Sequence, residues 1–230
     1  MPNGKAVKPA VRAKDDSRRS AKWHERRNGI IDLSAKVFAK RGYHATSTVE
    51  LCEANQLGKG ALYYYIGSKE HLLAAIHDRV MDEVMMGADR VALAGGSPAE
   101  QLAMLGQELV AVIMRYPDHV WVFLHEFHAL TGENAKQFRR RRRQYEGRIE
   151  AVFEAGTASG QFRALDPRVT ARAWLGMHNY TYLWLKDKGR LSAKEVAALF
   201  AEIFVWGVAD PASEMVPPLD GRPAQVAGAS

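Results

Sequence analysis

Apolar residues recur at three- and four-residue spacing along most of the chain, which is the pattern of amphipathic helices. Ile30, Leu33, Val37 and Phe38 share one such face, and Gly42 ends the run. The same period, with serine caps and prolines, predicts further helices over 47–54, 58–65, from Ser68 toward Gly95, from Ser97 to about Tyr116, from Pro117 onward, and over about 134–158, 167–186 and 192–208. No alternating strand pattern of useful length is present, so we expect an all-α fold of about nine helices.

The composition is that of an ordinary globular protein, with 47% hydrophobic and 25% charged residues. No apolar run reaches the roughly 18–20 residues that span a bilayer, and no apolar stretch follows the basic N-terminus as a secretory signal requires. The single cysteine, Cys52, excludes an intramolecular disulfide framework and falls at a small packing position. We therefore expect a cytoplasmic protein with no membrane partner.

Positive charge is concentrated at the N-terminus. Residues 1–27 hold nine basic and three acidic residues, an excess equal to the formal net charge of the whole chain, +6. Residues 1–19 also lack an apolar period, so we expect a disordered basic arm there. Such an arm either contacts nucleic acid or only keeps the protein in solution, and charge alone leaves both readings open. Residues 211–230, rich in Pro, Gly and Ala, are also expected to be disordered.

The two short helices over 47–54 and 58–65, joined by a tight turn, have the proportions of a helix-turn-helix. Such a motif places its second helix in the major groove of DNA. The positions expected to face inward and lock the two helices together are Leu51, Leu57 and Leu62. The residues expected to meet the duplex are Thr46, Ser47, Lys59, Gly60, Ala61, Tyr63, Tyr64, Tyr65 and Lys69.

Each of these residue types has a reason to contact DNA. Lys59 can donate to a phosphate or to guanine O6 and N7, and the small Gly60 and Ala61 let the backbone approach base edges closely. Tyr63–Tyr65 are spaced 100° apart around a helix, so at least one ring must point outward. Hydroxyls and a helix N-terminus at Thr46 and Ser47 suit a phosphate.

The stretch "IIDLSAKVFAKRGYHATSTVELCEANQLGKGALYYYIGSKEHLLAAI" resembles the DNA-binding domain of the TetR family of bacterial transcriptional regulators. The F-A-x-x-G-Y-x-x-T-S, K-G-x-L-Y-x-Y and S-K-E-x-L motifs all stand at family spacing. The resemblance implies a homodimer that binds a near-palindromic operator, usually as a repressor. It also implies a DNA-binding domain over 20–70 and an effector-binding and dimerisation domain over 71–210.

Three positions depart from the family pattern. Gln56 stands at the usual turn glycine, Gly58 replaces the usual serine cap, and Ile66 replaces an aromatic residue. These departures bear on the pitch of the recognition helix over 58–65 and on its operator sequence, and they remove no DNA contact.

Large apolar residues are unusually dense in the last two predicted helices. A single inner face cannot bury them all, so some should be exposed in the monomer and buried in a dimer. The residues expected at that dimer interface are Trp174, Tyr182, Phe200 and Phe204. An ordinary core is the alternative explanation.

The stretch "WLGMHNYTYLWLKDKGRLSAKEVAALFAEIFVWGV" resembles, more weakly, the C-terminal domain of TetR-type regulators of fatty-acid and steroid degradation. That resemblance implies an acyl-CoA thioester as the small-molecule effector, with no other cofactor. The residues expected to line its pocket are Met104, Trp121, Phe123, Phe127, His128 and Met177. Each of the apolar ones could equally belong to plain core.

Two further features are ambiguous. The run Arg139–Arg143 could bind an anionic ligand or form a solvated helix face, and at most two or three of its members can converge on one phosphate. His125 and His128 stand three apart without a third ligand at convincing spacing, so we expect no metal site.

Three functional classes compete at this point. A ligand-responsive repressor is favoured by the constellation over 46–69, and a sequence-indifferent architectural DNA-binding protein that uses the basic arm is the alternative. An enzyme is disfavoured because the chain has no G-x-S-x-G motif, phosphate loop or metal set. The identity of the effector, the operator and the regulated genes, and the choice between repression and activation, are not encoded in any motif.

Overall fold

Helix starts in this protein are set by local capping. The structure, a computed structural model, describes residues 9–209, with side chains from residue 20 onward. The hydroxyls of Ser47, Ser68, Ser97 and Ser192 each accept a hydrogen bond from the backbone amide three residues later. Because these oxygens satisfy amides that a helix start leaves without an intrahelical partner, they fix four of the predicted starts, which the structure confirms.

All regular structure within residues 9–209 is helical, apart from one isolated bridge between Phe162 and Ala209. The helices are α1 (Pro9–Arg41), α2 (Thr48–Asn55), α3 (Lys59–Ile66), α4 (Lys69–Ala94), α5 (Pro98–Arg115), α6 (Pro117–His125), α7 (Gly132–Ala158), α8 (Pro167–Asn179), α9 (Thr181–Trp184) and α10 (Ala193–Val208), with a 3-10 turn at Phe127–Ala129. The all-α prediction is confirmed. None of these helices combines the length and the apolar character that a membrane span needs.

Helix α1 begins earlier than the sequence pattern predicts. It starts at Pro9, so the prediction of a disordered arm is wrong for residues 9–19. This segment is rich in Ala, Arg and Lys, which are strong helix formers, and Pro suits a first helical position. A helix can therefore extend here without an apolar face. Residues 1–8 and the predicted disordered tail over 211–230 lie outside the described residues.

The helix predicted over 167–186 is divided into α8 and the single turn α9. His178 donates from Nδ1 to the carbonyl of Trp174 at 2.9 Å, and the hydroxyl of Thr181 donates to the carbonyl of His178 at 2.7 Å. The second bond competes for the carbonyl that the amide of Tyr182 would use in a continuous helix. This side-chain competition explains why the described residues contain ten α-helices, against about nine expected.

Two clusters of buried side chains form the interior, and α4 belongs to both of them. The first cluster surrounds α1–α3 and includes Ile30, Phe38, Leu51, Leu62, Leu72, Ile76, Val122 and Phe138. The second cluster lies among α4–α8 and α10 and includes Val84, Leu105, Ile113, Ile149, Phe153 and Trp174. Phe123 of α6 packs against both. The helix-turn-helix is therefore continuous with the rest of the interior, through side chains from α4, α6 and α7.

Candidate DNA-binding surface and ligand cavity

The turn between α2 and α3 gives the two helices their relative position. Gln56 has a left-handed backbone, with φ 52° and ψ 46°, and ends α2. A non-glycine residue in this conformation costs on the order of 1 kcal/mol, which the surrounding packing must offset. Leu51 and Leu62 are fully buried and Leu57 is half-buried, so the predicted inward positions are confirmed. Cys52 is half-buried and packs against the same cluster.

The outer face of α3 is open to solvent. Lys59, Gly60 and Ala61 are exposed, and Tyr63 and Tyr64 are exposed by 36% and 70%. A Cβ atom added at Gly60 would meet no atom within 4 Å. This face therefore combines one cation, two phenol hydroxyls and a backbone without bulk, which are the groups that a groove-reading helix needs.

The ring of Trp23 supports two of the three tyrosines. Its centroid lies 5.8 Å from that of Tyr65 and 6.5 Å from that of Tyr64, and the two tyrosine rings are 5.1 Å apart. Trp23 belongs to α1 and lies seven residues before Ile30, on the same helical face. That spacing was available in the sequence and could have identified Trp23 as part of this surface. Tyr65 is half-buried against Trp23, whereas Tyr64 leans on it and remains exposed.

Two residues predicted to contact phosphates are less accessible than expected. Thr46 is only 1% exposed, and its hydroxyl donates to the carbonyl of Gly42 at 2.8 Å, so its side chain closes the end of α1 and cannot reach DNA. Lys69 is half-buried, with its ammonium 4.3 Å from the centroid of the Tyr43 ring, and burial lowers its pKa. Ser47 is exposed at the start of α2, where it caps the helix through Glu50.

Helix α6 and the residue after it contact α1 and the loop that follows α1 at two points. Glu126, which follows α6, accepts the backbone N–H of Tyr43 at 3.1 Å. His119 Nε2 lies 3.1 Å from Asp32 Oδ1 on α1, and burial lowers the pKa of this histidine. Phe123, one helical turn after His119 on α6, lines a cavity. Helix α6 therefore contacts both α1, which supports the DNA-binding surface, and the internal cavity.

A cavity of about 340 Å³ lies among α4–α8. Most of its wall is apolar and consists of Val80, Met81, Val84, Leu109, Val112, Ile113, Val120, Phe123, Leu124 and Leu175. Its polar wall comes from α7 and α8 and consists of Arg142, Tyr145, Glu146, Arg172 and Asn179. This volume lies within the range of small-molecule sites, and the concentration of polar groups on one side gives a bound ligand a preferred orientation.

A second, wider cleft of about 580 Å³ adjoins the cavity and is strongly basic. It shares Arg142, Glu146 and Arg172 with the cavity. Its additional basic residues are Arg139, Arg143, Arg168 and His128. Within the described part of the chain, Arg142 pairs with Glu146 at 2.9 Å, and no carboxylate pairs with the other arginines of the cleft.

The arginine run is divided between two roles. Arg141 donates to Asp78 at 2.9 Å and to Asp82 at 2.5 Å, both on α4, and so fastens α7 to α4. Arg139, Arg142 and Arg143 line the cleft, and Arg140 lines neither the cleft nor the cavity. Three members of the run therefore converge on one side of α7, which favours an anion site over a purely solvated face.

The structure brings only some of the predicted effector residues together. Phe123 lines the cavity, and Phe127 and His128 line the cleft. Met104 lies elsewhere, in a groove beside α10, and Trp121 packs against the first buried cluster. Met177 lines neither the cavity nor the cleft. The ring of Trp121 instead lies against that of His125, with centroids 4.7 Å apart.

The predicted interface residues are mostly internal. Trp174 is fully buried in the second cluster, so it belongs to the core. Phe204 is half-buried against the Phe153 ring at 5.8 Å. Phe200 contacts His178 and Trp184, and the hydroxyl of Tyr182 lies 2.8 Å from His125 Nε2. The ordinary-core alternative is therefore correct for Trp174, and the other three are only partly exposed.

Another set of apolar residues on α8–α10 is exposed instead. Its members are between 43% and 62% exposed and are Val169, Tyr180, Leu183, Trp184, Leu199, Ile203 and Trp206. We call these seven residues the apolar face. Leu199, Ile203 and Trp206 follow the i, i+4, i+7 spacing of one helical stripe, a signal that could have separated them from the inward-facing Phe200 and Phe204.

No three His, Cys, Asp or Glu side chains between residues 20 and 209 cluster as metal ligands would. His125, one of the two histidines considered for a metal, is close to the hydroxyl of Tyr182 and stacks on Trp121 with ring centroids 4.7 Å apart. His125 is exposed, and its described contacts are to these two aromatic side chains.

Comparison with known proteins matches both parts of the chain to one family. Residues 30–76 match the family model for bacterial regulatory proteins of the tetR family, and residues 95–208 match the model for the tetracyclin repressor-like C-terminal domain. The crystal structure of AibR in complex with isovaleryl coenzyme A and operator DNA is similar to this chain. The two share 31% identity over 80% of this chain and 98% of that one, with a TM-score of 0.70.

Two curated repressors are also similar. The HTH-type transcriptional repressor KstR2 of Rhodococcus jostii is 25% identical over 200 residues, which cover 81% of this chain and 92% of that protein. The HTH-type transcriptional repressor KstR of Mycolicibacterium smegmatis is 34% identical over 93 residues. That second alignment spans only 40% of this chain and 46% of KstR.

The support of Tyr64 and Tyr65 by Trp23 predicts a loss of DNA affinity when the tryptophan is removed. Trp23→Ala should weaken binding of a duplex carrying the protein's own promoter region by about threefold to tenfold, because two rings lose the contact that orders them. Fluorescence anisotropy measures the change. Leu93→Ala is the control, since Leu93 is 89% exposed at the far end of α4. Equal affinity of the Trp23 and Leu93 variants would contradict a supporting role.

Proposed function

Because the chain belongs to the TetR family of bacterial transcriptional regulators, we propose that it is a repressor released from its operator by an acyl-CoA thioester. In this proposal residues 20–70 bind DNA, and residues 71–210 bind the ligand and a second copy of the chain. The site of action is the cytoplasm, where the DNA is.

The observation that carries the proposal is the junction of an apolar cavity with an arginine-rich cleft. A thioester of coenzyme A has one apolar end, the acyl group, and one strongly anionic end, the phosphates of the carrier. The cavity suits the first and the cleft suits the second, because guanidinium groups bind phosphate oxygens with directed, charge-assisted hydrogen bonds. The similar AibR structure, which contains isovaleryl coenzyme A and operator DNA, supports both halves of the proposal.

The DNA contacts are assigned to the outer face of α3. Lys59 and the hydroxyls of Tyr63 and Tyr64 reach base edges or phosphates, and Gly60 and Ala61 allow the close approach. Ser47 places the N-terminus of α2 near a phosphate, and Lys69 adds a cation at the start of α4. Thr46 is not included, because its side chain is buried.

The apolar face is assigned to homodimerisation. Seven large apolar residues with about half of their surface exposed are unusual for a monomer, and a two-fold axis would place each copy's face against the other. Dimerisation also sets the distance between the two copies of α3. Two copies of α3 can occupy successive major grooves only when they are held about 34–36 Å apart, one turn of DNA.

Helix α6 is the proposed connection between ligand and DNA. Its Phe123 meets the ligand in the cavity, and its other contacts, at Asp32 and Tyr43, hold α1 and the start of the helix-turn-helix. A ligand that displaces α6 shifts these attachments. The distance between the two recognition helices then departs from one DNA turn, and the affinity for the operator falls.

Operator recognition through α3 predicts a loss of specificity in Lys59→Ala. A lysine contact to guanine is worth about 1–3 kcal/mol, so affinity for the protein's own promoter region should fall about fivefold to a hundredfold toward the affinity for scrambled DNA. Gel shift at moderate salt with both duplexes measures the ratio, and Lys188→Ala, in the exposed loop before α10, is the control. A wild-type protein that binds both duplexes equally would instead support the architectural alternative.

Dimerisation through the apolar face predicts that Ile203→Glu yields a monomer. The substitution places a charge in the centre of the proposed interface, where it would be desolvated. Size-exclusion chromatography with light scattering should give the mass of one chain, compared with two for the wild type. Leu93→Glu is the matched control, because it adds the same charge at an exposed leucine of α4. A dimeric Ile203 variant would place the interface elsewhere.

Phosphate binding in the cleft predicts different effects for two neighbouring arginines. Arg143→Ala removes a cleft residue and should raise the concentration of octanoyl-CoA that releases operator DNA about fivefold to fiftyfold. Arg140→Ala removes the same charge outside the cleft and should change that concentration less than twofold. Equal effects would mean that only the general positive field matters. Failure of every CoA thioester to release DNA would reject the proposed effector class.

A further inference from the structure

One polar group inside the cavity is a phenol hydroxyl. Tyr145 on α7 is 7% exposed and lines the cavity among mostly apolar side chains. Within residues 20–209 no side chain or backbone group accepts or donates a hydrogen bond at its hydroxyl. Burial raises the pKa of this phenol above its ordinary value of 10.0, so the group stays protonated and can act as a donor.

The position of Tyr145 separates it from the residues proposed to hold the carrier. Arg142, Glu146 and Arg172 line both the cavity and the cleft, whereas Tyr145 lines only the cavity. Helix α5 contributes Leu109 and Ile113 to the apolar wall. Because Tyr145 lines the cavity and not the cleft, it stands in the space that an acyl group, and not the phosphates, would fill.

Native proteins seldom keep a largely buried side-chain hydroxyl without a hydrogen-bond partner in the protein. A phenylalanine at this position would complete the apolar wall. A ligand oxygen placed opposite the hydroxyl would supply its partner, and a ligand without that oxygen would exclude water from the hydroxyl and leave it without one. This asymmetry is how buried polar groups discriminate between ligands.

We propose that Tyr145 makes the cavity selective for acyl groups that carry a hydroxyl or keto oxygen beyond the thioester, where the phenol donates a hydrogen bond to it. This inference rests on the proposed function, because it takes the ligand to be a CoA thioester. It adds the chemical class of the acyl group, and it assigns a specificity-determining role to one residue of the cavity.

The test compares three CoA thioesters of one chain length: octanoyl-CoA, 3-oxooctanoyl-CoA and 8-hydroxyoctanoyl-CoA. Isothermal titration calorimetry gives their affinities, and release of operator DNA gives their effect, for wild type and for Tyr145→Phe. In the wild type, at least one oxygenated thioester should bind about fivefold to tenfold more tightly than octanoyl-CoA. In Tyr145→Phe that preference should vanish, mainly through weaker binding of the oxygenated thioester.

Tyr116→Phe is the matched control. Its hydroxyl donates to Glu83 at 2.9 Å and does not line the cavity, so the variant also loses one tyrosine hydroxyl but should keep the wild-type preference. Thermal unfolding of all three proteins shows whether each is folded, and the wild-type preference is itself a test that needs no variant.

The outcomes separate this inference from the proposed function. Equal wild-type affinity for all three thioesters would overturn the inference alone, as would a preference that survives in Tyr145→Phe. Uniform weakening of all three in Tyr145→Phe would mean that the phenol contacts the shared thioester carbonyl, which also overturns it. If none of the three thioesters binds or releases DNA, the proposed effector class itself is wrong.

Discussion

The packing of α6 between α1 and the cavity is the contact on which the rest of this structure depends. Phe123 belongs to both buried clusters, and its ring lies 5.7 Å from His77 on α4 and 5.3 Å from Phe138 on α7. Interiors packed at this density have few alternative arrangements and do not deform smoothly. A change in what fills the cavity must therefore be taken up by the helices around it, and α6 is the shortest of those that also touch α1.

Electrostatics separates the structural arginines from those available to a ligand. Arg141 is held by two aspartates of α4, and its side chain is only 19% exposed, so it stabilises the α4–α7 contact. Arg143 and Arg172 are exposed and face the cleft together with Arg139. A cluster of like charges without acidic partners raises the local potential and is unfavourable until an anion binds. In the proposed function, the phosphates of the ligand remove this repulsion.

Features decided by neighbouring residues could be predicted from the sequence, and features decided by distant ones could not. The caps at Ser47, Ser97 and Ser192 need only a carboxylate three residues on, and the inward leucines of the helix-turn-helix follow from helical spacing. The resemblance over 30–76 supplied the identity of the DNA-binding surface. The division of α8 from α9, by contrast, depends on the hydrogen bond that the hydroxyl of Thr181 donates to the carbonyl of His178.

The predicted positions of site residues differ from the structure where the direction of a side chain, and not the type of residue, decides whether it is exposed. Trp174 and Trp206 are both tryptophans on the last helices, yet one is fully buried and the other is 56% exposed. Thr46 has a hydroxyl suited to phosphate, but the end of α1 offers it a closer acceptor. The sequence does not predict a special role for Tyr145, because a tyrosine between Gln144 and Glu146 is typical of an ordinary polar helix. Its value comes from α4 and α5, which close an apolar space around it.

The energy needed to couple ligand and DNA in the proposed mechanism is of the same size as one hydrogen bond between α6 and the DNA-binding half of the chain. Ligand and operator must weaken each other's binding reciprocally, and such coupling is typically about 1–3 kcal/mol. A hydrogen bond from a backbone amide to a carboxylate, as between Tyr43 and Glu126, is worth about 1.5–3 kcal/mol when partly buried. Loss of that one bond in the ligand-bound state is therefore enough to account for the coupling. The DNA-binding surface can then stay folded while only its position changes.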